Sequence, residues 1–106
     1  MQVVKDDTWS HLDRYTILGN KKEIFLELLK VLSPAQYKKV YQIFSLRDLD
    51  ACRVTLREGS KEVSLAFYVK TYHPDFGESL ALQVDITMGP RGKVTYATGP
   101  LDYLML

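Results

Sequence analysis

The chain carries a single cysteine, Cys52, among 106 residues, so no internal disulfide framework can staple it. Histidine is almost as scarce. His11 and His73 are the only two, and Ser10-His11-Leu12-Asp13 lacks zinc-ligand spacing, so no metal site is indicated. The six glycines stand apart at 19, 59, 77, 89, 92 and 99, where they mark turns rather than a loop that cradles phosphates. An excess of one charge is missing too. The formal net charge is +1, with eight Lys/Arg and seven Asp/Glu in residues 1–50 and six of each in 51–106. Neither half is a basic or acidic arm, which argues against strong nonspecific attraction to nucleic acid. No apolar run approaches the roughly 18 residues of a membrane span. Met1–Trp9 also lacks the apolar stretch of a signal peptide. Together these absences point to a cytoplasmic chain with no cofactor and no membrane contact.

What is present suffices for a core. The composition is 46% hydrophobic and 25% charged, and area scaling predicts burial of about two-thirds of the open-chain surface. With no internal repeat or linker, residues 1–106 are expected to form a single globular domain.

Helical spacing governs the first half, about 8–45. Ile24, Phe25, Leu28, Leu29 and Leu32 form one stripe over 21–32. Ser33-Pro34-Ala35-Gln36 then combines a capping serine, a proline at the first helical position and a glutamine that completes a capping box. A second helix follows to about Phe44, with Ala35, Val40, Tyr41 and Phe44 inward, giving an αα-hairpin. An earlier helix over about 8–18 is suggested by Thr8 as cap, by Trp9 and Leu12 on one face, and by Gly19-Asn20 as terminator. Tyr15-Thr16-Ile17-Leu18 also fits an extended chain.

From about 51 to 98 the period switches to two. Cys52–Arg57, Val63–Lys70, Leu80–Met88 and Lys93–Thr98 each alternate apolar with polar residues. A four-residue turn Glu58–Lys61 matches Leu56 with Val63, Val54 with Leu65 and Cys52 with Phe67. A three-residue loop Pro90-Arg91-Gly92 matches Met88 with Val94 and Ile86 with Tyr96, and suits a glycine bulge. The expected architecture is a two-layer α+β domain. Two or three N-terminal helices, including the αα-hairpin, pack on one face of a C-terminal four-stranded antiparallel meander. An apolar tail, 99–106, either folds back over the helix–sheet edge or docks on a neighbour.

The segment most loaded with chemistry is Tyr72-His73-Pro74-Asp75-Phe76-Gly77-Glu78. His73 is the residue type suited to acid–base work, and Asp75 or Glu78 could orient it, which keeps open a small enzyme. No nucleophile or oxyanion site accompanies it, so a non-catalytic chain is favoured. The favoured reading of this segment is a surface loop in which Pro74, Asp75 and Gly77 form a turn while Phe76 tucks under. Tyr72-His73-Pro74-Asp75 also resembles the His-Pro-Asp signature of the J-domain co-chaperones, which joins two helices and engages a chaperone. Where that family has a basic helix, Val63–Val69 alternates as a strand, and a Lys-rich continuation is missing. The family is therefore set aside. Cys52, inward on its strand, is a small buried hydrophobe.

Two binding readings remain. As a protein-binding regulator or inhibitor the chain would use the 72–78 loop (Tyr72, His73, Asp75, Phe76), the outer sheet face (Arg53, Tyr68) or the tail (Leu104). Its seven tyrosines and one tryptophan are residue types enriched at interface hot spots. A homodimer through the outer strands belongs to the same class. The alternative is a nucleic-acid module gripping phosphates with Arg57 and Lys70 on the sheet, near Thr55, Thr95 and Lys93, or with Lys21, Lys22, Lys38 and Lys39 on the helices. Against it, Tyr68 is the sole outward aromatic expected, and Asp85 on the same face opposes phosphate.

Overall fold

Alternation, not helical spacing, rules the N-terminal segment. In the computed structural model, which describes residues 1–8 and 12–99, β1 (Gln2–Asp6) and β2 (Leu12–Leu18) precede α1 (Lys21–Leu28) and α2 (Pro34–Phe44). Then come β3 (Ala51–Arg57), β4 (Val63–His73), β5 (Gly77–Met88) and β6 (Val94–Thr98). The strands form a 6-stranded antiparallel sheet in chain order. This overturns the four-stranded meander with two or three N-terminal helices: the helix expected over 8–18 is replaced by β2, paired with β1 and β3. Its aromatic and β-branched run, Tyr15-Thr16-Ile17, prefers a pleated surface. Alternation there buries Ile17 and half-buries Tyr15 against the core. Trp9, Ser10 and His11 lie outside the described residues.

Gly19-Asn20, expected to end a helix, begins one instead. The Asn20 side-chain oxygen accepts from the Glu23 N–H (2.9 Å) and the Glu23 carboxylate accepts from the Asn20 N–H (3.2 Å), a complete capping box. Helix α1 stops at Leu28 rather than 32, which leaves Leu29 exposed while Leu32 is still buried from the following turn. Helix α2 has the expected bounds, N-cap Ser33 and N1 proline. Its buried stripe is Gln36, Val40, Ile43 and Phe44; Ala35 and Tyr41, expected inward, are exposed. Gln36 explains the rotation. Its carbonyl oxygen accepts from the Ser33 N–H (2.9 Å), while its amide donates to the carbonyls of Gly89 (3.0 Å) and Lys61 (3.3 Å). A buried polar group is thereby fully employed and α2 is tied to two strand ends.

The β3–β4 register is the expected one, Leu56↔Val63 through Cys52↔Phe67. So is the β5–β6 turn. The Gly89 N–H donates to the Lys93 carbonyl (2.9 Å), the Gly92 N–H to the Gly89 carbonyl (3.0 Å), and Gly92 has φ 79°. Two bulges then change the faces. Phe67 pairs with Val84 but Tyr68 with Leu82, so Gln83 is the extra residue. Leu80 and Leu82, expected inward, point away from the helices and are half-exposed. Past Met88↔Val94, Thr87 pairs with Tyr96 and Ile86 with Ala97. Ala97 therefore packs on the core and Tyr96 turns outward, because one extra residue inverts every later side chain.

The core lies between the helices and the inner sheet face, centred on Phe44 against Phe67 with ring centroids 4.1 Å apart. Phe25, Tyr37 and Tyr41 form a second aromatic group, with centroids 6.0–6.3 Å apart, that holds α1 to α2.

Candidate functional site

Strands β4 and β5 outrun their neighbours. Ladder pairing with β3 ends at Ala51↔Tyr68 and pairing with β6 at Asp85↔Thr98. Asp50 closes the first of these: its N–H donates to the Tyr68 carbonyl (3.0 Å) and its carboxylate accepts from the Lys70 N–H (2.7 Å). Beyond it β4 and β5 continue as a two-stranded arm, Lys70↔Leu80, Thr71↔Ser79, Tyr72↔Glu78 and His73↔Gly77. The segment 72–78 is thus the tip of a hairpin, not a surface loop between separate strands. Threonine and serine on one face share a 2.9 Å hydroxyl contact, and on the other Lys70 Nζ lies 3.6 Å from Glu78.

The tip assembles no acid–base pair. His73 Nδ1 accepts from the Asp75 backbone N–H (3.1 Å), and Glu78 is engaged by Lys70; neither carboxylate hydrogen-bonds the imidazole. Phe76 does not tuck under. It leans against His73 at a tilt, centroids 4.8 Å and planes 33° apart, and is 85% exposed, with Tyr72 at 77%.

The outer sheet face is a second surface. A concavity of about 490 Å³ is lined by Arg14, Arg53 and Arg57 on one side and by Asp85 and Tyr96 on the other, over a floor of small side chains. Arg14 Nε donates to Thr55 Oγ1 (3.1 Å), and Ser64 and Thr87 share a 2.8 Å hydroxyl contact across the floor. Asp6, opposite Arg14 on β1, has its carboxyl held below the usual range by hydrogen bonds from Thr8 and, behind them, by the field of Arg14 and Arg53. Arg14 and Tyr96 were not anticipated. Arg14 shares the parity of Thr16 once β2 is read as a strand; Tyr96 is hidden by a bulge that leaves no sequence mark. Tyr68 and Lys70 occupy later outward positions of β4, half-buried and exposed, at the root of the arm. Lys93 is exposed, and Thr95 is the β6 bulge residue, its hydroxyl 3.4 Å from the Thr87 carbonyl.

The helical lysines divide. Lys21 Nζ donates to the Ser45 carbonyl at the end of α2 (2.7 Å), while Lys22 and Lys38 are exposed and Lys39 is partly covered. Leu104 and the tail 100–106 lie outside the described residues. Cys52 is fully buried and burial pushes its thiol up, so the thiolate is disfavoured. Burial likewise raises Tyr15 to about 12. Among the described residues no group of three or more His, Cys, Asp or Glu is placed to hold a metal ion, and no helix is long and apolar enough to cross a membrane. Comparison with protein-family models, curated proteins and solved structures gives no match to the chain.

Proposed function

We propose that the chain works by binding another protein through the β4–β5 arm, as a steric or adaptor-type regulator. One observation carries this: Phe76 and Tyr72 stand exposed at the end of a continuous ladder, with Phe76 held against His73 instead of being buried. Large aromatics cost free energy in water, and a ring already resting against a neighbour, as Phe76 does against His73, has less freedom left to lose on docking. Leu80 and Leu82 extend the apolar surface toward the arm's root, and Lys70 and Glu78 supply a polar rim.

A photo-crosslinking residue at Phe76 in cells of the native host tests the proposal, with the same residue at the 97% exposed Leu46 as control. A discrete protein adduct from position 76, lost when Tyr72→Ala is added, is expected. Light scattering of the purified adduct shows whether the partner is a second copy. Adducts from position 46 and none from 76, or unchanged adducts in the Tyr72→Ala background, would overturn it.

A further inference from the structure

The outer concavity lies apart from the arm's tip and has its own chemistry. On β3, Arg53, Thr55 and Arg57 all point into it, which puts the two arginine Cα atoms about 13 Å apart. Arg14 stands opposite Thr55, midway between them and about 5 Å to the side. Three arginine side chains therefore line the concavity around Thr55. Arg14 spends only Nε on Thr55, which leaves its two terminal nitrogens without a hydrogen bond among the described residues. Among the described residues no carboxylate forms an ion pair with any of the three, although Glu62 sits beside Arg57 at the hairpin end and Asp6 stands opposite Arg14 on β1, held instead by Thr8. Planar, permanently charged donors left open in this way suit phosphate oxygens.

The far side is different. Asp85 lies across Ala66 from Arg53, about 10 Å away, and Tyr96 lies across Ser64 and Thr87 from Thr55, about 14 Å away. A carboxylate there repels phosphate but accepts hydrogen bonds from hydroxyl or ring N–H groups, and the half-exposed Tyr96 offers a face for stacking. The hydroxyl floor between the two ends is narrow-chained and polar. A polyanion laid along the whole face would set a phosphate against Asp85; a ligand with one anionic end would not.

We infer that this concavity binds a nucleotide, its phosphates among Arg14, Arg53 and Arg57 and its sugar and base toward Asp85 and Tyr96. The volume suits one small polar ligand. Calorimetric titration with each of ADP, GDP, CDP and UDP tests it, with pyrophosphate and adenosine as arms that separate phosphate from nucleoside recognition. At least one diphosphate is expected to bind more tightly than pyrophosphate, and adenosine more weakly than ADP. Arg53→Ala should weaken the nucleotide about tenfold or more. Tyr96→Ala should weaken the nucleotide and leave pyrophosphate unchanged, and Lys38→Ala on the helical side should change neither. Circular dichroism checks that the variants fold, and Arg53→Lys, which keeps the charge but loses the fork, gives a second measure if Arg53→Ala does not. Absence of binding by all four diphosphates, equal binding by the arginine variants, or tighter binding of a ten-residue oligodeoxythymidine than of any diphosphate would overturn the inference.

Discussion

Gly92 shows how much a single position can decide. Its φ of 79° lies in the left-handed region, and a Cβ there would stand 2.7 Å from the Ala35 carbonyl oxygen. The turn is pressed against the start of α2, where the Ser33 hydroxyl also donates to the Pro90 carbonyl (2.7 Å). Gly59 has a similar φ of 77° but nothing within 4 Å of the added atom. Gly59→Ala is therefore expected to cost about 1 kcal/mol, the conformational term alone. Gly92→Ala should cost clearly more, about 2 kcal/mol or above, because backbone must also move. Urea unfolding midpoints at constant slope measure the difference; equal costs would mean that α2 does not rest on the turn.

At the scale of elements, the arm is expected to be dispensable for folding. Residues 70–80 are exposed or nearly so and contribute nothing to the core. Replacing Lys70–Leu80 with a tight Asn-Gly turn should shift unfolding free energy by less than about 1 kcal/mol, while abolishing the crosslink at position 76 by removing that position. A collapse in stability would show that the arm braces the sheet. The arm was only partly legible in the sequence. Val63–Val69 and Leu80–Met88 alternate plainly, but Pro74, Asp75 and Gly77 read as a loop, and nothing local says that pairing continues to the tip. The second helix was legible because Ser33, Pro34 and Gln36 each have a local structural role. Asn20 and Glu23 form the same kind of box, yet Gly19-Asn20 equally resembles a helix stop, and that ambiguity concealed β2. The bulges at Gln83 and Thr95 shift the pairing by one residue within otherwise regular alternation, so the outward turn of Leu82 and Tyr96 has no signature in the alternation itself. Arg53 and Arg57 could therefore be placed from sequence, whereas Arg14 was hidden by the helical reading of β2 and Tyr96 by the β6 bulge.

For the molecule as a whole, acid should be the vulnerable side. The carboxyls of Glu23 and Asp6 are both held low, Glu23 by the Asn20 N–H and then the chain's amino group, Asp6 by Thr8 and then the two arginines. A carboxyl lowered in the folded state stabilises it above the unfolded value, and that contribution fades as pH falls through the folded value. The melting temperature is thus expected to be level above about pH 5 and to drop below it. Asp6→Asn with Glu23→Gln should flatten that drop, since neither replacement titrates; an unaltered acid limb would place its cause elsewhere. The sheet's order also has a meaning in time. Because the strands stand side by side in the order in which they are synthesised, each new strand leaving the ribosome finds its partner already made. Only β3 must wait, for two helices that fold locally before it arrives. The ladder can therefore grow from β1 to β6, with none of these six strands kept unpaired for a partner still to be translated.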